Sequence, residues 1–489
     1  MKLFDRREHS IKYNALMNFI LTASNILFPL ITFPYVSRVL LASGTGKIDF
    51  AVSISNYFLM IASLGIPTYG VRTCAKLKDD KEQLSKAVQE ILIINAITTF
   101  FATAIFVICV FSIPQFKEDK TLFLIEGINV LLNFVGVGWL FQAIEQYDYI
   151  TVRSIAFKII SIILMFVFVH QGSDYIIYAA ISVFAAVGSN ILNLIRMTKI
   201  ISFKKYDDYN FRQHLTPIFI LFAQGITVSI YTNLDKVMLG FITNDVEVGL
   251  YSAAVKIKVM LVTVVTSLGN VMLPRMSYYV KNNNKVGFDN LVITAINAVM
   301  LVAFPLTAFF TFESADCIKI LAGESFYAAI PTMAIITMAV LPNGLTNIIG
   351  LQTLIPLGRE KQVLYSVTVG AVSDLILNFV LIPNYGATGA AVATVIAELL
   401  VLLSQVYFAK DILIPLRRKI KLIRYFTCTM IAVVVYFMFS IVSIRNSFMR
   451  LTLTFFVFFT VYALELLIIK DELFLKLIGN RICHWMKRG

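Results

Sequence analysis

Long apolar runs, each cut off by a short polar loop, follow one another along almost the whole chain. A helix needs about 20 mostly apolar residues to cross the bilayer core. Fourteen segments meet that need: 13–38, 48–67, 88–112, 121–144, 152–170, 174–196, 215–241, 248–273, 289–312, 326–348, 361–382, 386–409, 422–442 and 448–469. Only a tight turn separates 152–170 from 174–196, and 361–382 from 386–409. The pattern predicts an all-α polytopic membrane protein with 14 transmembrane helices.

The polar positions orient it. Lys and Arg concentrate in cytoplasmic loops. With the N-terminus inside, 32 of the 42 Lys and Arg residues fall in inner segments and seven in outer ones. Both termini are therefore expected in the cytoplasm. The N-terminal MKLFDRREHSIK enters the first run without a small-residue cleavage site, so it reads as a retained first span and not a removable signal. Composition agrees: 58% of the 489 residues are apolar and 15% charged, against roughly 45–50% and 25% in soluble proteins. The formal charge of +13 follows from the inner loops and calls for no nucleic acid. Five scattered Cys residues (74, 109, 317, 428 and 483) form no CxxC, so no disulfide framework or metal site is expected.

The chain echoes itself at about 200 residues. Arg38–Ala51 matches Lys236–Ala254, Leu64–Arg72 (LGIPTYGVR) matches Leu268–Arg275 (LGNVMLPR), and Phe166–Gly172 matches Phe379–Gly386. Six spans separate the copies, so both halves share one orientation about a pseudo-two-fold axis along the membrane normal. The expected organisation is an N-lobe over 1–200, a cytoplasmic interfacial linker over 201–214 and a C-lobe over 215–410. A two-helix extension with a cytoplasmic tail follows over 411–489. Two like lobes that rock around a shared cavity make a device for alternating access.

Catalytic motifs do not assemble. Gly44–Lys47 (GTGK) lacks the GxxxxGK[ST] spacing of a phosphate loop and is followed by Ile48. His9, His170, His214 and His484 lie at loops or termini and form no HExxH, and no GxSxG occurs. The chain does not read as an enzyme, and no cofactor is expected.

Charges inside spans are the candidate functional residues, because each costs about 2.5–3.5 kcal/mol on insertion scales unless it faces water or a partner. Lys256 and Lys258 lie within the eighth span on nearly opposite helix faces, with Lys256 the better candidate to face a cavity. Lys236 and Arg38 occupy equivalent places in the repeat and complete the substrate-binding candidates; the alternative is snorkelling to the headgroups for Lys256, Lys258 and Arg38, and a structural ion pair or rim charge beside Asp235 for Lys236. Asp235, Asp374, Asn378 and Glu398 are candidates for a coupling ion; the alternative is a structural ion pair or rim charge with Lys236 for Asp235, and interhelical hydrogen bonding for the other three. Pro29 and Pro34 bend the first span and could gate it. Glu90, Glu126, Glu145 and Glu465 sit near span ends and read as interfacial.

Several stretches bear a family resemblance: FPYVSRVLLASGTGKIDFAVSISNYF (Phe33–Phe58), LGIPTYGVR, NLDKVMLG (Asn233–Gly240) with VGLYSAA after it, and LNFVLIPNYGATGAAVAT (Leu377–Thr394). With the fourteen spans in a 6+6+2 plan, the chain resembles the Wzx-type O-antigen or capsular repeat-unit flippases of the multidrug/oligosaccharidyl-lipid/polysaccharide exporter superfamily. One departure is Leu41, where that family carries Gly after Arg-Val-Leu. The resemblance implies movement of undecaprenyl-pyrophosphate-linked oligosaccharide from the inner to the outer leaflet of a bacterial cytoplasmic membrane. It implies a lipid-linked oligosaccharide and membrane lipids as partners, a polysaccharide polymerase downstream, and coupling to an ion gradient. A multidrug or cation antiporter of the same superfamily and a lipid-linked peptidoglycan-precursor flippase are the rival readings. The first typically has twelve spans and acidic cavities, and the second a cavity richer in Arg.

Overall fold

The computed structural model describes residues 11–270, 272–440 and 446–478. His9, His484, Cys483 and most basic residues of the two termini lie outside that range. All regular structure among the described residues is helical. In chain order the helices are α1 (Ile11–Ser63), α2 (Ile66–Lys76), α3 (Lys81–Ser112), α4 (Pro114–Glu118), α5 (Lys120–Leu131), α6 (Gly138–Ala143), α7 (Tyr147–Phe168), α8 (Tyr175–Val187), α9 (Asn190–Ile200) and α10 (Arg212–Ile242). They continue with α11 (Asp245–Asn270), α12 (Leu273–Lys281), α13 (Lys285–Phe312), α14 (Ser314–Leu321), α15 (Ile330–Ile336), α16 (Val340–Thr346), α17 (Glu360–Phe408), α18 (Lys410–Leu416), α19 (Leu422–Ser440), α20 (Ser447–Ile468) and α21 (Glu472–Ile478). Among the described residues, ten helical stretches are long and apolar enough to cross a membrane. The chain divides into two compact units, Met1–Gly249 and Leu250–Gly489.

Helix α1 cannot be one straight rod. Its 53 residues would reach about 80 Å at 1.5 Å per residue, far more than a bilayer core of about 30 Å. The break falls at Leu41, at φ 61° and ψ −175°. Side-chain contacts give the direction of the two arms. In the first arm Met17 meets Thr151, Ser24 meets Lys158 and Tyr35 meets Val169, so it runs parallel to α7. In the second arm Ser55 meets Glu126 and Ser63 meets Asn133, so it runs parallel to α5. Helix α7 is antiparallel to α8 through Arg153–Ser189 and Ser161–Ile181. Helix α8 and its continuation α9 are parallel to α5 through Tyr175–Asp119 and Asn190–Leu132. The two arms of α1 are therefore antiparallel, a hairpin turned at Leu41. Pro29 and Pro34 lie inside the helical first arm, and the non-helical residue is Leu41 instead.

That conformation is one only glycine adopts without strain, and it costs another residue about 1–3 kcal/mol. It falls on the position where the resembled family carries Gly. Leu41 is 49% exposed, so its side chain returns little burial. Leu41→Gly is expected to raise the melting temperature of the detergent-solubilised protein, by the strain relieved less about 0.5–1 kcal/mol of added chain entropy. A lower melting temperature for the variant would contradict the strain.

Local signals set the other ends. Asp80 caps α3 by accepting from the backbone N–H groups of Glu82 and Gln83, both at 3.0 Å. Pro67 and Pro274 stand in the first turns of α2 and α12, where a missing N–H costs nothing. These two short helices follow the LGIPTYGVR and LGNVMLPR breaks, so each unit repeats the succession of long helix, break and short amphipathic helix. In the second unit α17 turns at Gly386, at φ 51°, within the IPNYG stretch that ends the eleventh predicted span. Around it, α13 packs on α16 and α19, and α15 packs on α17. Phe309 meets Tyr436, Phe455 and Phe458 at ring-centroid distances of 5.5–6.4 Å. Arg359 grips Asp411 with two bonds, at 2.9 and 2.6 Å, and this holds the Asp411 carboxyl below its ordinary pKa.

Candidate translocation seam

In the first unit the second arm of α1 runs antiparallel to α10, with the start of α11 against its first turns. At one end Gly46 lies against the backbone of Asp245, and Gly249 lies against the carbonyl of Ala42, so closely that a Cβ on either glycine would overlap it. Small residues are what allow helix backbones to approach this way. Next inward, Phe50 packs edge-on against Phe123 and Phe241, at 6.0 and 5.4 Å. Asn56 Nδ2 then donates to Asn233 Oδ1 at 3.3 Å. At the far end Gly65 abuts Leu221 and Phe222.

A polar lock closes the Gly46 end. Lys47 Nζ donates to Asp119 Oδ2 at 2.7 Å, and Tyr175 donates to Asp119 Oδ1 at 2.6 Å. The Lys47 ammonium also stands 5.1 Å from the Tyr175 ring centroid. A cavity of about 210 Å³ beside the lock is lined by Glu118, Asp119, Asn244 and Asp245 among others.

The opposite end holds a larger cavity of about 530 Å³ between α2 and α10. Its α2 side presents Tyr69, Arg72, Thr73, Lys76 and Leu77; its α10 side is apolar, from Pro217, Ile220 and Leu221. Arg72 and Lys76 are exposed. Two cations facing an apolar wall make a binding chemistry for an amphiphile with an anionic head.

Behind this cavity lies a buried polar relay. Tyr69 and His214 Nδ1 are 2.7 Å apart, and His214 Nε2 lies 2.6 Å from Glu90 Oε2. His214 is 2% exposed and Glu90 0%. Glu90 also accepts from the backbone N–H of Asn210 at 2.7 Å and from Gln213 at 3.1 Å. Its neighbour Gln89 donates to the carbonyls of Ser202 and Lys204 and accepts from Tyr209. The foot of α3 thus straps down the 201–211 segment that leads into α10. On that segment Lys86 pairs with Asp208 at 2.5 Å and holds its carboxyl below the usual range. Glu90 is no interfacial residue, as its place near a span end suggested. Glu126, at 2% exposure, is buried too, while Glu145 is exposed.

The other predicted residues distribute as follows. Arg38 is exposed on the first arm of α1 and donates to the Pro34 carbonyl. On α10 Asp235 is buried and Lys236 half-buried; on α11 Lys256 and Lys258 are half-buried. Asp374 and Asn378 come together on α17, with Asn378 Nδ2 donating to Asp374 Oδ2 at 3.2 Å and both side chains buried. Glu398 is buried on the second arm of α17. No cluster of three or more His, Cys, Asp or Glu residues able to hold a metal occurs among the described residues. Arg72, Lys76, Glu90 and His214 were missed as a site. The available signal was the basic run of short helix α2, which the loop count absorbed.

Comparison with known proteins decides the family. Residues 11–280 match the family described as polysaccharide biosynthesis protein. The chain belongs to that family. An O-antigen transporter of Escherichia coli (strain K12), so named, is 23% identical over 82% of this chain and 97% of its own length. The capsular polysaccharide biosynthesis protein CapF of Staphylococcus aureus is likewise 23% identical, over 80% of this chain and 97% of its own. Among solved structures, the lipid II flippase MurJ in an inward closed conformation superposes with a TM-score of 0.76. It is 15% identical and covers 94% of this chain and 99% of that one. An inward-facing multidrug transporter of the same superfamily reaches 0.56 at 12% identity, over 80% and 96%. At these identities the likeness is one of fold. The chain is thus a member of the polysaccharide biosynthesis family, rich in helices able to cross a membrane, with the fold of those flippase and exporter structures.

Proposed function

We propose that this protein carries undecaprenyl-pyrophosphate-linked oligosaccharide from the inner to the outer leaflet of a bacterial cytoplasmic membrane. A polysaccharide polymerase then uses the exported unit. The observation that carries the reading is the cavity between α2 and α10, with Arg72 and Lys76 opposite the apolar wall of Pro217, Ile220 and Leu221. A pyrophosphate would sit on the two cations, and the isoprenoid chain would run along the wall into lipid. Relatives named for O-antigen transport and capsular polysaccharide support the glycan class.

The mechanism in this reading is alternating access. Counting each arm of α1 and α17, the broken α5–α6 segment and α10, the chain provides fourteen spans with both termini inside. The lysine-locked end of the seam then faces outward and the Arg72 end inward. Loading from the cytoplasm places the head beside Arg72 and Lys76. Separation of α1 from α10 and from the start of α11, at the Gly46–Asp245 crossing, then opens the outer side. Lys256, Lys258, Lys236 and Arg38 would guide the anionic head along the path. A coupling ion would draw on Asp374, Asn378 and Glu398, or on Asp235 in the first unit.

Reconstitution tests this. Proteoliposomes carrying a fluorescent lipid-linked oligosaccharide should show leaflet exchange, with and without an imposed H⁺ or Na⁺ gradient. Each charge-assisted contact to the head is worth about 1.5–3 kcal/mol. Arg72→Ala with Lys76→Ala is therefore expected to slow exchange at least about tenfold, with normal folding by gel filtration. Drug efflux without sugar-lipid exchange would overturn the reading, and unchanged exchange in the double variant would remove this cavity from it.

A further inference from the structure

The first unit breaks three of its helices beside a single cavity. Helix α1 stops at Ser63 and α2 starts at Ile66; α5 stops at Leu131 and α6 starts at Gly138; α8 stops at Val187 and α9 starts at Asn190. Residues from all three neighbourhoods line a cavity of about 220 Å³. Its polar wall is Asn95, Asn133, Gln142, Asn190, Asn193 and Arg153, and no Asp or Glu is among its lining residues. Trp139, 5% exposed, forms part of the wall. We propose that this pocket is a sugar subsite, which takes one ring of the lipid-linked oligosaccharide on the cytoplasmic side. The proposal rests on the flippase reading and adds to it a second site, separate from the basic cleft that takes the pyrophosphate.

Interrupted helices at membrane depth persist only where other groups satisfy the freed backbone or where it lines a cavity. Both hold here. Asn190 Nδ2 donates to the Leu132 carbonyl at 3.3 Å, Asn193 Nδ2 to that of Gly136, and Arg153 to that of Ser189 at 3.0 Å. Val137 at the break has φ 32° and ψ 28°. A β-branched residue there is strained and must be held by its surroundings.

Two atoms are left over. Asn193 is 1% exposed, yet its Oδ1 has no partner, and the buried Nε of Arg153 has none either. One is an acceptor and the other a donor, and both belong to residues that line the pocket. A metal ion would satisfy the first only, and a halide the second only. A hydroxyl both donates and accepts, and a ring bearing several hydroxyls can meet these two groups and the remaining carboxamides together. The volume equals that of roughly seven waters at about 30 Å³ each, room for one sugar ring. The Trp139 indole supplies the apolar wall that such pockets combine with a few fixed polar groups.

The chain has two tryptophans, Trp139 and Trp485, so Trp485→Phe makes Trp139 the sole reporter. The full-length variant in detergent is titrated with glucose, galactose and N-acetylglucosamine, and separately with sodium chloride and inorganic phosphate. A saturable change in Trp139 emission with at least one monosaccharide, and none with the salts, is expected. Arg153→Lys keeps the charge but removes Nε–H, and should weaken that sugar about tenfold; Asn193→Leu should weaken it at least as much. No saturable sugar response, an equal response to the salts, or unaltered affinity in both variants would overturn the subsite. Leaflet exchange measured on the same protein separates the two claims. Exchange without a sugar response overturns the pocket alone, and a sugar response without exchange keeps a sugar site but overturns flipping.

Discussion

Glu90→Ala is expected to be the most destabilising single change in the first unit, at about 1–3 kcal/mol for each buried partner left unsatisfied. The carboxylate is wholly buried and holds His214, Gln213 and the Asn210 backbone at once. Alanine leaves those buried groups without that partner, and an unsatisfied buried group pays its full desolvation cost. The damage should reach function, because these partners lie where the 201–211 segment enters α10. Loss of the anchor frees the foot of the helix that forms one wall of the basic cleft. Glu90→Gln keeps a carbonyl for the Asn210 N–H and should lose much less. The check is thermal unfolding in detergent together with the yield of monodisperse protein. A Glu90→Ala variant that melts like the parent would mean the relay has no structural role.

Much of this architecture was legible in the apolar pattern, because spans obey a single rule of length and composition. The antiparallel arms of α1 and α17 coincide with the breaks placed near residues 38–48 and 382–386. The repeat paired the stretches at Leu64 and Leu268, but not the short helices α2 and α12 that begin within them. Turn chemistry was legible less directly. The Leu41 hairpin was marked only by the resembled family's missing glycine, and it lies beyond Pro29 and Pro34. Proline within a long apolar helix can be absorbed locally, whereas a positive φ reverses the chain. Polar side chains were the hardest to read. Glu90 and His214 stand 124 positions apart, and nothing in their neighbours says that one is paired with the other. Burial was inferred from distance to a span end, which fails where a linker folds back over the helix foot. The carboxamides at 95, 133, 190 and 193 attracted no notice because a neutral amide costs little on an insertion scale. Their convergence depends on three helix interruptions that hydropathy does not register. Asp374 and Asn378 share a helix face because a four-residue spacing suffices for that.

Separation of α1 from α10 is the step on which transport depends in this account, and it can be blocked without altering either cavity. Asn56 and Asn233 touch across the middle of the seam, so Asn56→Cys with Asn233→Cys, on a chain whose five native cysteines are replaced by alanine, should form a disulfide under mild oxidation. The reduced protein should exchange lipid-linked oligosaccharide between leaflets at near the parental rate. Oxidation should lower that rate more than about tenfold, and reductant should restore it. Full exchange by protein that is completely cross-linked would contradict the moving seam, and with it the alternating-access mechanism proposed for this transporter.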